Sequence, residues 1–181
     1  MSERDDIIHL IQRAIDNDEQ ACSTILNIYK GRIFSYVYRM VKNYHDAEDI
    51  TFDAFIKCFN ALPSFDTSKS FTTWLFTITH NVAMDYFRKN KQEYEYFDER
   101  HASTENLAED FAQQRKMERI DQAILKLTPV DRELVILFHK EEHTYEEISE
   151  ITHMPVTTIK TRLHRARKKL RLLVLEHAKK A

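Results

Sequence analysis

Apolar residues recur at three- and four-residue intervals through most of the chain, the spacing that turns one face of an α-helix toward a core. From about Arg4 to Asn17 the stripe is Ile7, Ile8, Leu10, Ile11, Ala14 and Ile15. Asp18 to Lys42 reads as a longer helix or a pair, with Ala21, Ile25, Ile28, Tyr29, Ile33, Phe34, Val37, Met40 and Val41 inward. Asn43 to His45 is a polar break. Asp46 to Leu62 predicts a third helix along Ala47, Ile50, Ala54, Phe55, Cys58, Phe59 and Leu62. Leu62 to Ser70, LPSFDTSKS, is a turn-rich loop opened by Pro63. Phe71 to Lys91 predicts a fourth helix through Trp74, Leu75, Ile78, Val82, Ala83, Tyr86 and Phe87.

The texture then changes. Gln92 to about Gln114 is polar and acidic, with scattered aromatics and no sustained stripe. A loop of that length inside one compact domain is uncommon, so the pattern divides the chain into a domain over 1–91, a flexible linker over 92–114 and a domain over 115–181. The second domain opens on a stripe of Met117, Ile120, Ala123, Ile124 and Leu127. Thr128, Pro129 and Asp131 suit N-cap, N1 and N3 of the next helix, lined by Leu134, Val135, Leu137 and Phe138.

Thr144 followed by Glu147 fits a capping box ahead of a short helix carrying Ile148 and Ile151. Thr152, His153 and Met154 make a break. Pro155 suits a first helical position, and Ile159, Leu163, Ala166 and Leu170 form the inward stripe of the helix that follows. Its other faces carry Thr157, Thr158, Lys160, Thr161, Arg162, His164, Arg165 and Arg167. Helix, short turn, then a helix that starts polar and becomes basic is the arrangement of a DNA-reading helix-turn-helix. An antiparallel helix pair with a solvated basic face shows the same degenerate pattern. The turn needs a left-handed residue, and His153, which tolerates positive φ better than most non-glycine residues, stands there.

Composition sharpens this picture. One glycine and three prolines in 181 residues leave too little turn chemistry for sheets, so the fold class is all-α: two small helical domains, the second a winged-helix-like bundle of three or four helices. The net charge of −2 hides an asymmetry. From Lys160 onward the only acid is Glu176, whereas Glu93 to Asp110 is mainly acidic. A basic end on a near-neutral chain points to a local polyanion site. Opposite charge also raises the idea that the linker pairs transiently with the basic helix. Cys22 and Cys58 sit alone in apolar helical contexts and read as free buried thiols of a reducing compartment. The charged start MSERDDIIHL has no signal-peptide core, and no apolar run approaches a membrane span. A cytoplasmic protein with no membrane insertion of its own is expected.

These blocks, in this order, resemble bacterial sigma factors of the extracytoplasmic-function group, and the resemblance covers nearly the whole chain. DAEDITFDAFIKCFNAL, Asp46 to Leu62, is similar to that family's polymerase-binding helix. FTTWLFTITHNVAMDYFRK, Phe71 to Lys89, is similar to its promoter-melting, −10-reading helix. Leu127 to Leu170 is similar to its −35-reading domain. Two positions depart from the family's pattern: Phe52 stands where Gln is frequent and His153 where Gly is. The resemblance implies a promoter-specificity subunit with core RNA polymerase and promoter DNA as partners, an anti-sigma factor as regulator, no cofactor and no catalytic residue.

It also distributes roles. Asp46, Glu48, Asp49 and Asp53 would dock a helical element of the polymerase large subunit; acids early in a helix also simply complement its dipole. The loop with Ser64, Phe65, Asp66 and Lys69 would capture an extruded base, which requires an apolar wall and polar groups for the base edge. His80, Asn81, Arg88 and Lys89, on the polar side of their helix, are candidates for −10 DNA or its phosphates, while Trp74 on the apolar stripe reads as core. Thr157, Thr158, Lys160, Thr161, Arg162, Arg165 and Lys168 are the −35 candidates.

Two other classes compete. A helix-turn-helix regulator with a helical sensor domain shares the DNA-binding half and differs in not binding core polymerase. A metalloenzyme is suggested only by His139, Glu142 and His143, an HxxEH match. His143 immediately precedes the Thr144 cap, so its helix is ending, and no third ligand follows; no metal site is expected.

Overall fold

The computed structural model describes residues 3–90 and 120–179. The linker over 92–114, and with it the idea that its acids pair with the basic helix, lies outside the described residues. Helix α1 spans Glu3–Ile15, α2 Glu19–Val41, α3 Tyr44–Ala61 and α4 Phe71–Lys89. A single 3₁₀ turn, Leu62–Ser64, leads into the loop before α4. Residues 120–125 are helical, followed by α5 at Pro129–His139, α6 at Tyr145–Thr152 and α7 at Val156–Lys179. No strand occurs among the described residues.

Local chemistry sets the boundaries. The Asp18 carboxylate accepts from the backbone N–H groups of Gln20 and Ala21 at the start of α2. Lys42, at φ 53°, ends that helix in the left-handed region. The expected break at Asn43 to His45 is shorter than its composition suggested. Asn43 caps α3 by accepting from the N–H groups of His45 and Asp46, so the helix already begins at Tyr44. Ser70 caps α4 through the Thr73 N–H at 3.2 Å.

Asp18 to Lys42 yields one helix, since Gly31 does not break it. A Cβ placed on Gly31 would meet nothing within 4 Å. Glycine in a helix interior mainly carries an entropic cost, so Gly31→Ala should stabilise the protein by about 0.4–1 kcal/mol. A rise in urea midpoint checks this; a fall would mean that the site is more crowded than the backbone shows.

Helices α1 to α4 wrap a core through Ile11, Ile25, Ile33, Tyr36, Leu75 and Phe76, each no more than 1% exposed. The second half adds Leu134, Ile136, Ile148, Ile159 and Leu163, equally enclosed. The two cores are continuous. Helix α5 lies between the halves, and Arg132 through Leu137 are buried in an unbroken run. A helix enclosed all round belongs inside a core rather than on a surface. Its partners are α2 on one side and α7 on the other, while α6 packs on α4. The expectation of two separately packed halves therefore meets a closed arrangement. The stripe read for α5 covered only one of its two buried faces.

Candidate nucleic-acid and polymerase interfaces

At the second half's outer end, local bonds build the helix-turn-helix as expected. The Thr144 hydroxyl accepts from the Glu147 N–H at 3.2 Å, and the Glu147 carboxylate accepts from the Thr144 N–H at 2.8 Å, which completes the capping box. His153 takes the left-handed position at φ 57°. The Ser149 hydroxyl donates to the Met154 carbonyl at 2.6 Å and closes the turn. Pro155 falls just before α7 rather than inside it: its carbonyl accepts from the N–H groups of Thr158 and Ile159.

Ile159, Leu163 and Ala166 face inward, at most 3% exposed. Thr157, Thr158, Lys160, Thr161, Arg165 and Lys168 are exposed. Thr158, Thr161, Arg165 and Lys168 follow one another by three or four residues and share a face. Lys160 Nζ lies 5.1 Å from the Tyr145 ring centroid, which holds its stem against α6. Arg162 is placed differently from its expected role. It is half-buried, and its Nη1 donates to Asp131 Oδ1 at 2.7 Å, tying α7 to the N-terminus of α5.

Three features stand on the first half. The outer face of α3 carries the exposed carboxylates Glu48, Asp49 and Asp53, with Asp46 half-buried. Phe52 and Ile56, 68% and 44% exposed, lie among them. The apolar pair was missed as a contact. Its signal was Phe52 itself, an aromatic at a position where the helical pattern asks for a polar residue. A hydrogen bond to Glu48, reinforced by that carboxylate's charge, raises the Tyr44 hydroxyl above its ordinary pKa and anchors this end of the face.

Beside the loop before α4 lies a cavity of about 370 Å³, lined by Ile7, Ile8, Tyr29, Phe65, Lys69, Ser70, Phe71 and Thr72. Of the expected loop residues, Phe65 and Lys69 line it and Ser64 and Asp66 do not. Phe65 is 9% exposed and packs its ring on Phe71 and Trp74, so it forms a wall rather than a free stacking platform. Asp66 shapes the loop instead, accepting from the Ser68 N–H at 2.9 Å, and its bonds to Ser68 hold its carboxyl below the usual range. The contributions of α1 and Tyr29 to the cavity were not legible locally, because both come from outside the loop.

Along α4, Asn81, Arg88 and Lys89 are exposed, with Arg88 paired to Asp85. His80 is not free: its Nδ1 lies 2.7 Å from Glu133 Oε1 of α5. The HxxEH residues do not converge. His139 Nε2 accepts from Arg167 Nε at 3.2 Å, whereas His143 packs its ring against Phe76 and lies 3.7 Å from Glu147. Cys58 is fully buried, and burial, with Cys22 nearby, pushes its thiol up to about 12. Such a thiol is unreactive at neutral pH.

His143 lends the closed form a pH dependence. Burial, with Arg32 nearby, lowers its pKa against the opposing pull of Glu147 and Glu141. The unfolded chain then takes up the proton first. Stability is full above the ordinary histidine pKa of about 6.5 and falls as pH drops below it toward the folded value. His139, an exposed residue whose pKa is lowered by partial desolvation and by the charges of Arg167 and Lys140, contributes with the same sign. The urea midpoint should fall between pH 7.5 and 5.5, and His143→Gln should flatten that fall; an identical slope in the variant would contradict the assignment.

A helix-turn-helix with an open polar and cationic face, coupled to a second helical half with its own cavity, defines a two-part DNA-binding protein. Relatives narrow the class. The family described as Sigma-70 region 2 matches residues 25–93, and Sigma-70, region 4, matches residues 117–170. The chain is 38% identical over 174 residues to the ECF RNA polymerase sigma factor SigW of Bacillus subtilis (strain 168), covering 89% of this chain and 92% of that protein. It is 30% identical over 148 residues to the RNA polymerase sigma factor YlaC of the same strain, covering 79% and 86%. In fold it is similar to CnrH, solved in complex with the cytosolic domain of CnrY, with a TM-score of 0.68, 22% identity, and 91% and 94% of the two chains covered. It is likewise similar to RpoE of Bartonella quintana, solved with the anti-sigma factor NepR, with a TM-score of 0.67, 24% identity, and 84% and 95% covered. The chain belongs to the extracytoplasmic-function sigma factors, which direct RNA polymerase to specific promoters.

Proposed function

We propose that residues 1–91 bind core RNA polymerase and open the −10 element, that 115–181 read the −35 element, and that 92–114 connect them. The −35 contact falls on Thr157, Thr158, Thr161 and Arg165, with Lys160 and Lys168 on phosphates. Arg162 orients the helix through Asp131. The −10 side is the cavity with Phe65 and Lys69, continued by Asn81, Arg88 and Lys89, and by His80 once it leaves Glu133. The protein acts in the cytoplasm and has no catalytic residue of its own. No helix among the described residues is long and apolar enough to cross a membrane. CnrH was solved with the cytosolic domain of CnrY and RpoE with the anti-sigma factor NepR, and an anti-sigma protein is proposed as a partner here too.

The observation that carries polymerase docking is the α3 face. Phe52, at 68% exposure, sits among carboxylates on a helix whose opposite side is core. Exposed aromatics ringed by charge are common anchors of protein interfaces. Reversing Glu48 and Asp49 to lysine should weaken core polymerase binding by about tenfold or more, since like-charge juxtaposition costs several kcal/mol. The fold, checked by circular dichroism, should be unchanged. Unaltered affinity in a titration would remove this helix from the interface. The same titration separates the sigma reading from a regulator that never meets polymerase.

A further inference from the structure

Where the two halves meet, the ion pairs set cations of the first half against carboxylates of the second, beside a crossing in which buried Arg132 of α5 donates to the Met40 carbonyl. Helix α2 presents Arg32 and Arg39, its C-cap Lys42, and α4 His80. The second half presents Asp121, Glu133 and Glu141. Arg32 Nε donates to Glu141 Oε2 at 2.9 Å, and Arg39 Nη1 lies 3.5 Å from Glu141 Oε1. Lys42 Nζ donates to Asp121 Oδ2 at 3.0 Å, and His80 Nδ1 lies 2.7 Å from Glu133 Oε1. The Tyr36 hydroxyl donates to that same oxygen, while Glu133 Oε2, fully enclosed, has no hydrogen-bond partner. A buried carboxylate with one oxygen unsatisfied is costly in a permanent core. It fits better in a contact that is made and released.

The basic side is continuous with the cavity. Tyr29 lines the cavity, and Arg32, Tyr36 and Arg39 follow it along α2 at three, seven and ten residues, on one stripe. At 1.5 Å per residue the stripe runs about 15 Å from the cavity. Arginines alternating with a tyrosine, leading away from a base-sized hollow, have the make-up of a track for single-stranded nucleic acid. Carboxylate oxygens on arginine occupy the same geometry as phosphate oxygens.

We propose that Arg32 and Arg39, with Lys42 and His80, form a phosphate-binding track for single-stranded promoter DNA, and that Asp121, Glu133 and Glu141 occupy it as phosphate stand-ins when the halves are closed. The inference rests on reading the α4 half as the −10 side. It gives closure a specific consequence. The −35 face of α7 stays free in the closed form, whereas the cations of the track, with Arg32 exposed and Arg39 half-buried, are engaged by carboxylates until the second half moves away.

The test uses the full chain and a 12-nucleotide single strand of mixed sequence, because phosphate contacts carry no sequence information. Asp121→Asn with Glu141→Gln neutralises one partly exposed and one buried carboxylate of the interface and spares Glu133, and thermal melting confirms folding. This variant should open, seen as a larger radius of gyration in solution scattering. It should bind the strand about tenfold more tightly at low salt, with a salt slope steeper by about 0.7 for each cation bared. Adding Arg32→Gln and Arg39→Gln should cancel the gain. A gain that survives the arginine substitutions places the DNA elsewhere and overturns the track. So does an opened variant with unchanged affinity, and a variant that stays closed and binds no better overturns the stand-in role. An abasic strand separates the two readings: equal gain with it upholds the track even if the cavity takes no base.

Discussion

Replacing Glu133 by alanine should cost the protein about 3–5 kcal/mol of stability, the range for removing one partner of a buried charged cluster. Glu133 is 0% exposed. Its Oε1 accepts from the Tyr36 hydroxyl of α2 and contacts His80 Nδ1 of α4, so one oxygen joins three helices. Burial, and then the charge of Glu133, raises Tyr36 well above its ordinary pKa, which keeps the hydroxyl protonated as a donor. Alanine would leave the buried hydroxyl and the largely enclosed imidazole without their acceptor and a void beside them. Glu133→Met fills the space but strands the same two groups, so it should recover only part of the loss. Combining Glu133→Met with Tyr36→Phe should recover more, because the hydroxyl is then gone too. Urea denaturation at neutral pH measures all three. A loss below about 1 kcal/mol for Glu133→Ala, the scale of an exposed pair, would mean that the halves do not close through this residue.

Arg165→Ala should weaken binding to a −35 duplex by about 1–3 kcal/mol, or roughly 5- to 150-fold, and relax preference at one base position. Arg165 is exposed on the face shared with Thr158 and Thr161. Lys168→Ala should weaken all duplexes alike and reduce the salt slope by about one, as a phosphate contact does. Arg162→Ala should act differently from both. Its guanidinium is held by Asp131, which also accepts from the Thr128 hydroxyl at 2.9 Å. Its loss should appear first in stability and in the orientation of α7. Equal effects of Arg162→Ala and Arg165→Ala on base preference, at unchanged stability, would show that this assignment of the two arginines is reversed.

The contrast between those arginines marks how far the chain could be read without its fold. Helix periodicity placed every described helix, since each has a core stripe of its own. The caps read at Thr128 and Thr144 depend only on neighbours within three residues, as do those at Asp18 and Ser70, which the pattern alone did not single out. Boundaries shifted by one or two residues: α1, read from Arg4 to Asn17, spans Glu3–Ile15; α3, read from Asp46, begins at Tyr44; and Pro155 falls just before α7. What sequence could not show is what depends on distant partners. Arg162 and Arg165 are equivalent on a helical wheel until Asp131, thirty-one residues away, takes one of them. His80 looked like an open polar residue of α4, and Glu133 like an ordinary acid in a helix, yet they meet across 53 residues. The unbroken burial of α5 was foreshadowed by apolar residues on more than one side, Leu134 to Phe138, which a single-stripe reading underuses. The cavity was anticipated from its loop, but its α1 and α2 walls were not.

This chain confers promoter choice on RNA polymerase. Run-off transcription with purified core polymerase and a promoter library tests it most directly. With the protein present, transcripts should start at one set of templates that share a two-part element, and Arg165→Ala should lose them. Core polymerase alone should give none of these starts. A protein that binds duplex DNA but neither binds core polymerase nor changes which templates are transcribed would not be a promoter-specificity subunit.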